Sequence, residues 1–154
     1  MLKPDQKLAI HFFEQIDKLN GKMGHGVLRY SRNPIACAID LNHGGRSTRD
    51  LLDFGPDAPI YSSVESAMSA GGEVLILGMA PSGGRLPPEM VEEVDRAVSA
   101  GMSVINGLHE QLGPRYPDLP EGQWIWDIRQ EPKDLGIAWA RAAKLSNRRA
   151  LLVG

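Results

Sequence analysis

The chain has 154 residues, room for one domain, with 42% hydrophobic and 23% charged residues, a balance that supports a packed core and excludes disorder. A formal net charge of −2 leaves no global basic field to attract nucleic acid. The apolar stretches are strand-length, far short of a membrane span, and the N-terminal run broken by His11 is not a signal peptide.

Lys7 to Phe13 reads as the first strand, with His11 alternating inside it as a structural residue. A polar segment leads to Asn20-Gly21-Lys22-Met23-Gly24-His25-Gly26, a glycine loop that continues through Val27–Tyr30 as a helix. That helix stops before Asn33-Pro34, because proline disfavours α geometry in its predecessor. Pro34 to Asp40 is the second strand, apolar as a parallel strand covered on both faces should be. It contains the one cysteine, Cys37, which packs there and has no partner for an internal disulfide; the expected location is cytoplasmic.

Ser47 to Asp50 is a capping-box pattern that opens a short helix through Leu51 and Leu52. Pro59 to Tyr61 is a short strand. Ser62-Ser63-Val64-Glu65 is a second capping box, whose helix ends at Gly71-Gly72. Glu73 to Met79 is the next strand and the expected central one. Pro87-Pro88-Glu89 opens a helix with Met90, Val91, Val94, Ala97 and Val98 on one face, ended by Gly101. Met102–Asn106 and Gln123–Ile128 read as strands on either side of a Pro- and Gly-rich loop from Gly113 to Gly122. Trp124 and Trp126 share a face of the second of these by the two-residue period, as core, as a subunit contact or as an aromatic shelf. Ala138–Leu145 reads as a helix, and Arg149 to Gly154 as a last buried strand running into a loop. A strand that ends at its own mouth predicts a first half of a longer protein.

The repeated β-α alternation predicts an α/β domain over 1–154, Rossmann-like, with a mostly parallel open sheet and helices on both faces. Ligands of such sheets bind beyond the carboxyl ends of the strands. Gly21-x-x-Gly24-x-Gly26 sits where a dinucleotide fingerprint would, though its spacing departs from one; it is an anion or nucleotide site, or a flexible helix start. Asp40 ends the second strand, where an acid accepts hydrogen bonds from a ribose or caps the next turn. Ser82-Gly83-Gly84-Arg85 precedes a helix and suits a phosphate or carboxylate, or is a plain glycine turn. Asn106, His109 and Glu110 are candidates for proton transfer or for orienting a carbonyl, with Asp127 beside them as a further catalytic candidate. No short-spaced ligand pair supports a metal site among His43, His109 and Asp127.

Five segments taken together carry a resemblance. They are Asn20–Ser31, Ala38-Ile39-Asp40, Leu77-Gly78-Met79-Ala80-Pro81-Ser82-Gly83-Gly84, Asn106-Gly107-Leu108-His109 and Gln123-Trp124-Ile125-Trp126-Asp127-Ile128-Arg129. The chain resembles, over essentially its whole length, the N-terminal Rossmann-like domain of a prokaryotic family of unknown function, often labelled NAD-dependent epimerase/dehydratase. The resemblance implies a second, C-terminal domain with a P-loop, with Val153-Gly154 at its doorstep. The P-loop lysine and hydroxyl that grip phosphate and magnesium would lie there. Some relatives, which differ in the first glycine loop, are implicated as D-glutamate N-acetyltransferases. The implied function is a nucleotide- or ligand-binding half of a two-domain enzyme, with acyl transfer to a D-amino acid as its chemistry. NAD(P), ATP or acetyl-CoA are the implied cofactors, with magnesium entering only through the second domain. The expected partners are a small-molecule ligand, the P-loop domain and a second copy of the chain, with no nucleic acid and no membrane. The competing readings are an NAD(P)-dependent oxidoreductase or epimerase domain, disfavoured by the absence of a Tyr-x-x-x-Lys pair, and a non-catalytic oligomerisation domain.

Overall fold

Short apolar strands alternate with helices that each carry one apolar stripe, so the strands can lie side by side only if helices cover the sheet. The computed structural model describes residues 2–131, 133–136, 139, 141–148 and 150, and in it the strands are β1 (Leu8–His11), β2 (Ile35–Ile39), β3 (Ile60–Tyr61), β4 (Val74–Leu77), β5 (Ser103–Asn106) and β6 (Ile125–Asp127). The α-helices are α1 (Lys22–Tyr30), α2 (Val64–Ser69) and α3 (Pro88–Ser99). The strands form one sheet in the order β3-β2-β1-β4-β5-β6, every neighbour parallel. The chain winds outward from β1 to β3, returns beside β1 at β4 and winds out again, so the order reverses between β1 and β4. This is the Rossmann-like fold expected. Two strands, β1 and β4, share the centre, not β4 alone.

The period-two alternation of β1 divides the core. Ala9 and His11 face the α2–α3 side with Cys37, Ile39, Leu75, Leu77, Val64 and Val94. Ile10 and Phe12 face the other side with Leu28, Ala38 and Ile60. Burial pushes the Cys37 thiol up to about 12, which leaves it an inert packing group. Helix α3 forms as its stripe requires: Met90, Val94 and Ala97 are buried, Glu89 sits in the first turn, and Gly101 with φ of 91° lets Met102 N–H return to the Ala97 carbonyl at 3.0 Å.

Several boundaries differ from expectation. The Ser47–Asp50 box is made, with Asp50 Oδ2 accepting from Ser47 N–H at 2.8 Å, but it caps only a 3-10 turn over Thr48–Asp50. The cap of α2 is Ser63, whose Oγ accepts from Ser66 N–H at 3.2 Å, one residue later than the Ser62–Glu65 pair. The Ala138–Leu145 helix is a 3-10 turn over Arg141–Lys144, with Ala138 and Ala140 outside the described residues. The terminal strand expected over 149–154 also lies outside them, apart from Ala150.

The largest difference concerns the glycine segment. Helix α1 begins at Lys22, so Gly24 and Gly26 are inside it and Gly21 is its N-cap. Gly24 sits against β1 so closely that a Cβ would lie 2.4 Å from the Phe12 ring. Its N–H donates to the Gly78 carbonyl, joining α1 to the end of β4. Gly26 faces open space. The two glycines therefore predict opposite results. Gly24→Ala is expected to destabilise the domain by about 2 kcal/mol through overpacking, and Gly26→Ala to stabilise it by about 0.5–1 kcal/mol through helix propensity. Urea unfolding of the two variants beside the parent measures both, and equal effects would refute the packing assignment.

Candidate functional site

Six parallel strands point their carboxyl ends at one edge, so the residues after them gather there. A cleft of about 390 Å³ opens at that edge between the turn after β4 and the loop after β5. Lys22, Gly83, Gly84, Gly107, His109 and Arg129 line it, and no acidic residue does. A neighbouring opening of about 480 Å³ shares Gly83 and His109 and adds Arg85 and Glu110.

Each wall has a local cause. Ser82–Gly84 makes a tight turn in which Gly83 and Gly84 have φ of 79° and 67°. A Cβ on Gly84 would lie 2.4 Å from the His109 ring, so glycine there lets the imidazole lie on the backbone. Glu110 crosses between the loops: its N–H donates to the Gly84 carbonyl at 3.3 Å and its Oε2 accepts from Leu86 N–H at 3.0 Å. Arg129 Nε donates to the Gly107 carbonyl at 2.7 Å, which fixes the plane of the guanidinium, and Nη1 lies 3.4 Å from His109 Nε2. The cleft is thus a cationic notch with glycine backbone on two sides.

Of the catalytic candidates, only His109 lines the cleft. Asn106 is fully buried, donating from Nδ2 to Asp127 Oδ1 at 2.7 Å and to the Glu110 carbonyl at 2.7 Å, while its Oδ1 accepts from Leu108 N–H at 2.9 Å. Asp127 Oδ1 also accepts from Leu112 N–H at 2.9 Å, and its Oδ2 from Gly113 N–H at 2.9 Å. The pair shapes the loop after β5, which makes Asn106 and Asp127 positioning residues. Arg85 is exposed beside the opening, and Ser82 belongs to the turn.

The dinucleotide geometry expected of Gly21, Gly24, Gly26 and Asp40 is not built. The N–H of Lys22 goes to the Leu19 carbonyl and that of Gly24 to Gly78, so the start of α1 is occupied by protein acceptors. A Cβ on Gly21 would lie 2.3 Å from the Gln15 carbonyl oxygen, a packing reason for glycine. Asp40 is at the same sheet edge as Gly83 and Gly84, but it is fully buried and does not line the cleft. Its carboxylate accepts from Ile16 N–H, Asn42 N–H and His43 Nδ1. His25 Nε2 lies 2.6 Å from the Ile16 carbonyl, a bond within the protein.

Sequence reasoning placed Arg129 beyond the end of the Trp126 strand and Lys22 in the glycine run but gave neither a role. Arg129 follows the carboxyl end of β6 by two residues, which is the signal that finds it; Lys22 was hidden inside the glycine run. Trp126 in β6 is 45% exposed, whereas Trp124 packs against the cluster of Leu8, Val74, Ile76 and Ile105. At the opposite edge a hollow of about 510 Å³ lies beside Glu73, Gly101 and Gln123, but Gln123 Nε2 already donates to the Val98 and Met102 carbonyls. Among the described residues no group of His, Cys, Asp and Glu has the convergence of a metal site, and no helix is long and apolar enough to cross a membrane.

The chain resembles a known structure over nearly all its length. A DUF1611 family protein from Anabaena variabilis, solved by crystallography at 2.30 Å resolution, is 40% identical and matches with a TM-score of 0.82 over 92% of this chain. The match covers 42% of that protein, so this chain spans less than half the length of its relative. No curated protein matches it. The family model of a Rossmann-like domain of unknown function, DUF1611_N, matches residues 41–131. With the sheet order, the family model and the Anabaena structure in agreement, this chain belongs to the DUF1611 family and carries its Rossmann-like domain.

Proposed function

We propose that this domain holds an anionic small molecule, through a carboxylate or phosphate, in the cleft between the β4 and β5 loops. The observation that carries the reading is Arg129: its guanidinium is pinned through Nε to Gly107 and stands with Lys22 and His109 in a cleft without acidic lining. Pre-orientation matters because an arginine already held in place loses less side-chain freedom on binding.

In the longer protein the domain serves as the ligand-binding half of an enzyme whose other half carries a P-loop. Its chemistry is acyl transfer, from a donor such as acetyl-CoA to the amino group of a D-amino acid such as D-glutamate. A dicarboxylate suits a notch with two cationic side chains, Lys22 and Arg129, beside an imidazole. The oxidoreductase reading fares worse, because Asp40 is buried and bonded and the start of α1 is already occupied.

Calorimetric titration with D-glutamate, acetyl-CoA, ATP and NAD tests this. Binding of D-glutamate or acetyl-CoA is expected, weakened about ten- to a hundredfold by Arg129→Ala, as loss of a charge-assisted contact implies. Binding of none of them, or binding that Arg129→Ala leaves unchanged, overturns the reading.

A further inference from the structure

We infer that His43, oriented by the buried Asp40, is a proton acceptor on the β1–β2 side of the carboxyl edge, serving a ligand that presents an ammonium or hydroxyl group. The inference stands apart from the cleft and does not depend on its ligand.

Asp40 directly follows β2, with its side chain 0% exposed. Its Oδ1 lies 2.8 Å from His43 Nδ1 and accepts from Asn42 N–H at 3.1 Å; its Oδ2 accepts from Ile16 N–H at 3.1 Å. A carboxylate only accepts, so the proton of the neutral imidazole sits on Nδ1 and the lone pair on Nε2. Nε2 lies 3.8 Å from Asp17 Oδ2. That is too long for a hydrogen bond, so Asp17 does not hold the resting ring, but it faces the charge that proton uptake would place there. The side chains of His43 and Asp17 are 17% and 43% exposed, so the pair borders solvent.

A purely structural role does not need the imidazole. The backbone N–H groups of Ile16 and Asn42 already fasten the loops after β1 and β2 to Asp40. The loop that delivers Asp17 also carries two non-glycine residues in the left-handed region, Phe13 (φ 49°) and Glu14 (φ 64°), a conformation that persists only where its surroundings enforce it. None of the other histidines has this arrangement: His11 is fully buried, His25 Nε2 is engaged by Ile16, and His109 lies on Gly84.

In the step, Nε2 takes the proton from the ligand's ammonium or hydroxyl. One N–H or O–H bond breaks, an Nε2–H bond forms, and the electron pair stays on the ligand as a free amine or alkoxide nucleophile. The Nδ1 proton remains on its bond to Asp40 throughout, the arrangement by which a buried carboxylate orients a histidine base.

The test uses the full chain and p-nitrophenyl acetate, an ester that a histidine with a free Nε2 cleaves. The parent protein is expected to release p-nitrophenolate about tenfold or more faster than His43→Gln, the low end of what a positioned base contributes. Asp40→Asn is expected to fall towards that level, and Asp17→Asn, at an exposed site, serves should Asp40→Asn fail to fold. Two-bond proton–nitrogen spectra are expected to place the His43 proton on Nδ1. Equal rates in the parent and His43→Gln, or a proton on Nε2, overturn the inference.

Discussion

Asp127→Ala is expected to destabilise the domain by about 3 kcal/mol and to loosen the cleft at the same time. The carboxylate at the end of β6 receives three donors, from Asn106 Nδ2 and from the N–H groups of Leu112 and Gly113. Alanine leaves those donors without their acceptor in a region where Asn106 and Leu112 are fully buried. For a domain of this size the loss corresponds to about 6–12 °C in melting temperature. The same loop carries Gly107 and His109, and Gly107 is the anchor of Arg129. Anion binding should therefore weaken in Asp127→Ala even at temperatures where it remains folded. Asp127→Asn keeps part of the acceptor capacity and should fall between. Thermal unfolding and ligand titration on the three proteins check this; an Asp127→Ala domain as stable as the parent would show that the network holds nothing.

Acidification is expected to destabilise the domain through a pair in the core, and replacing Glu93 should cost about 2–3 kcal/mol at neutral pH. His11 is fully buried, stacked on Phe13 with ring centroids 3.6 Å apart. Its Nδ1 accepts from Phe13 N–H at 3.2 Å, so its proton is on Nε2. That atom faces Glu93 Oε2 at 3.5 Å, and neither atom has a hydrogen-bond partner among the described residues. Glu93 also pairs with Arg96 on the helix surface. Desolvation holds the His11 pKa below its ordinary 6.5, against the pull of Glu93. The imidazole N–H of His11 facing it holds Glu93 below its ordinary 4.5, against desolvation.

Both shifts act in one direction. As pH falls below 6.5 the unfolded chain protonates His11 while the folded domain does not, so stability falls by up to about 1.4 kcal/mol per pH unit. Glu93 adds to the loss below 4.5, until pH passes its folded pKa. Above pH 7 neither group contributes a slope. In Glu93→Ala the His11 Nε2–H loses its facing acceptor, and the Glu93 part of the acid limb disappears. Urea unfolding across the pH range measures this, and a parent stability flat from pH 7 to pH 5 would sink the assignment.

Much of this architecture was legible in the order of residues. Strands were found by short apolar runs, α3 by its stripe and its Pro–Gly punctuation, and the parallel sheet by alternation, because these signals are local and periodic. The edge at which function would sit followed from the topology. What misled was the glycine run. Gly21, Gly24 and Gly26 look alike in the chain, yet Gly21 avoids the Gln15 carbonyl, Gly24 admits the Phe12 ring and Gly26 touches nothing. A glycine signals an absent side chain but does not say what occupies the space. Ser62–Glu65 misled in the same way, since two adjacent serines offer two frames for one cap and packing chose Ser63.

The acids at strand ends divide along the same line. Composition and pattern determined that this is a Rossmann-like α/β domain, that its polar residues collect beyond the carboxyl ends, and that Cys37 is packed. Those outcomes depend on hydrophobic periodicity and on turn residues, which are properties of neighbours in the chain. Which polar group stays open at that edge was decided by partners far apart in sequence. Asp40 meets Ile16 across 24 residues, Asn106 meets Asp127 across 21, and Arg129 meets Gly107 across 22. A hydrogen bond depends on distance and direction in space, so only the closed sheet could turn Asp40 and Asp127 inward and leave Arg129 exposed.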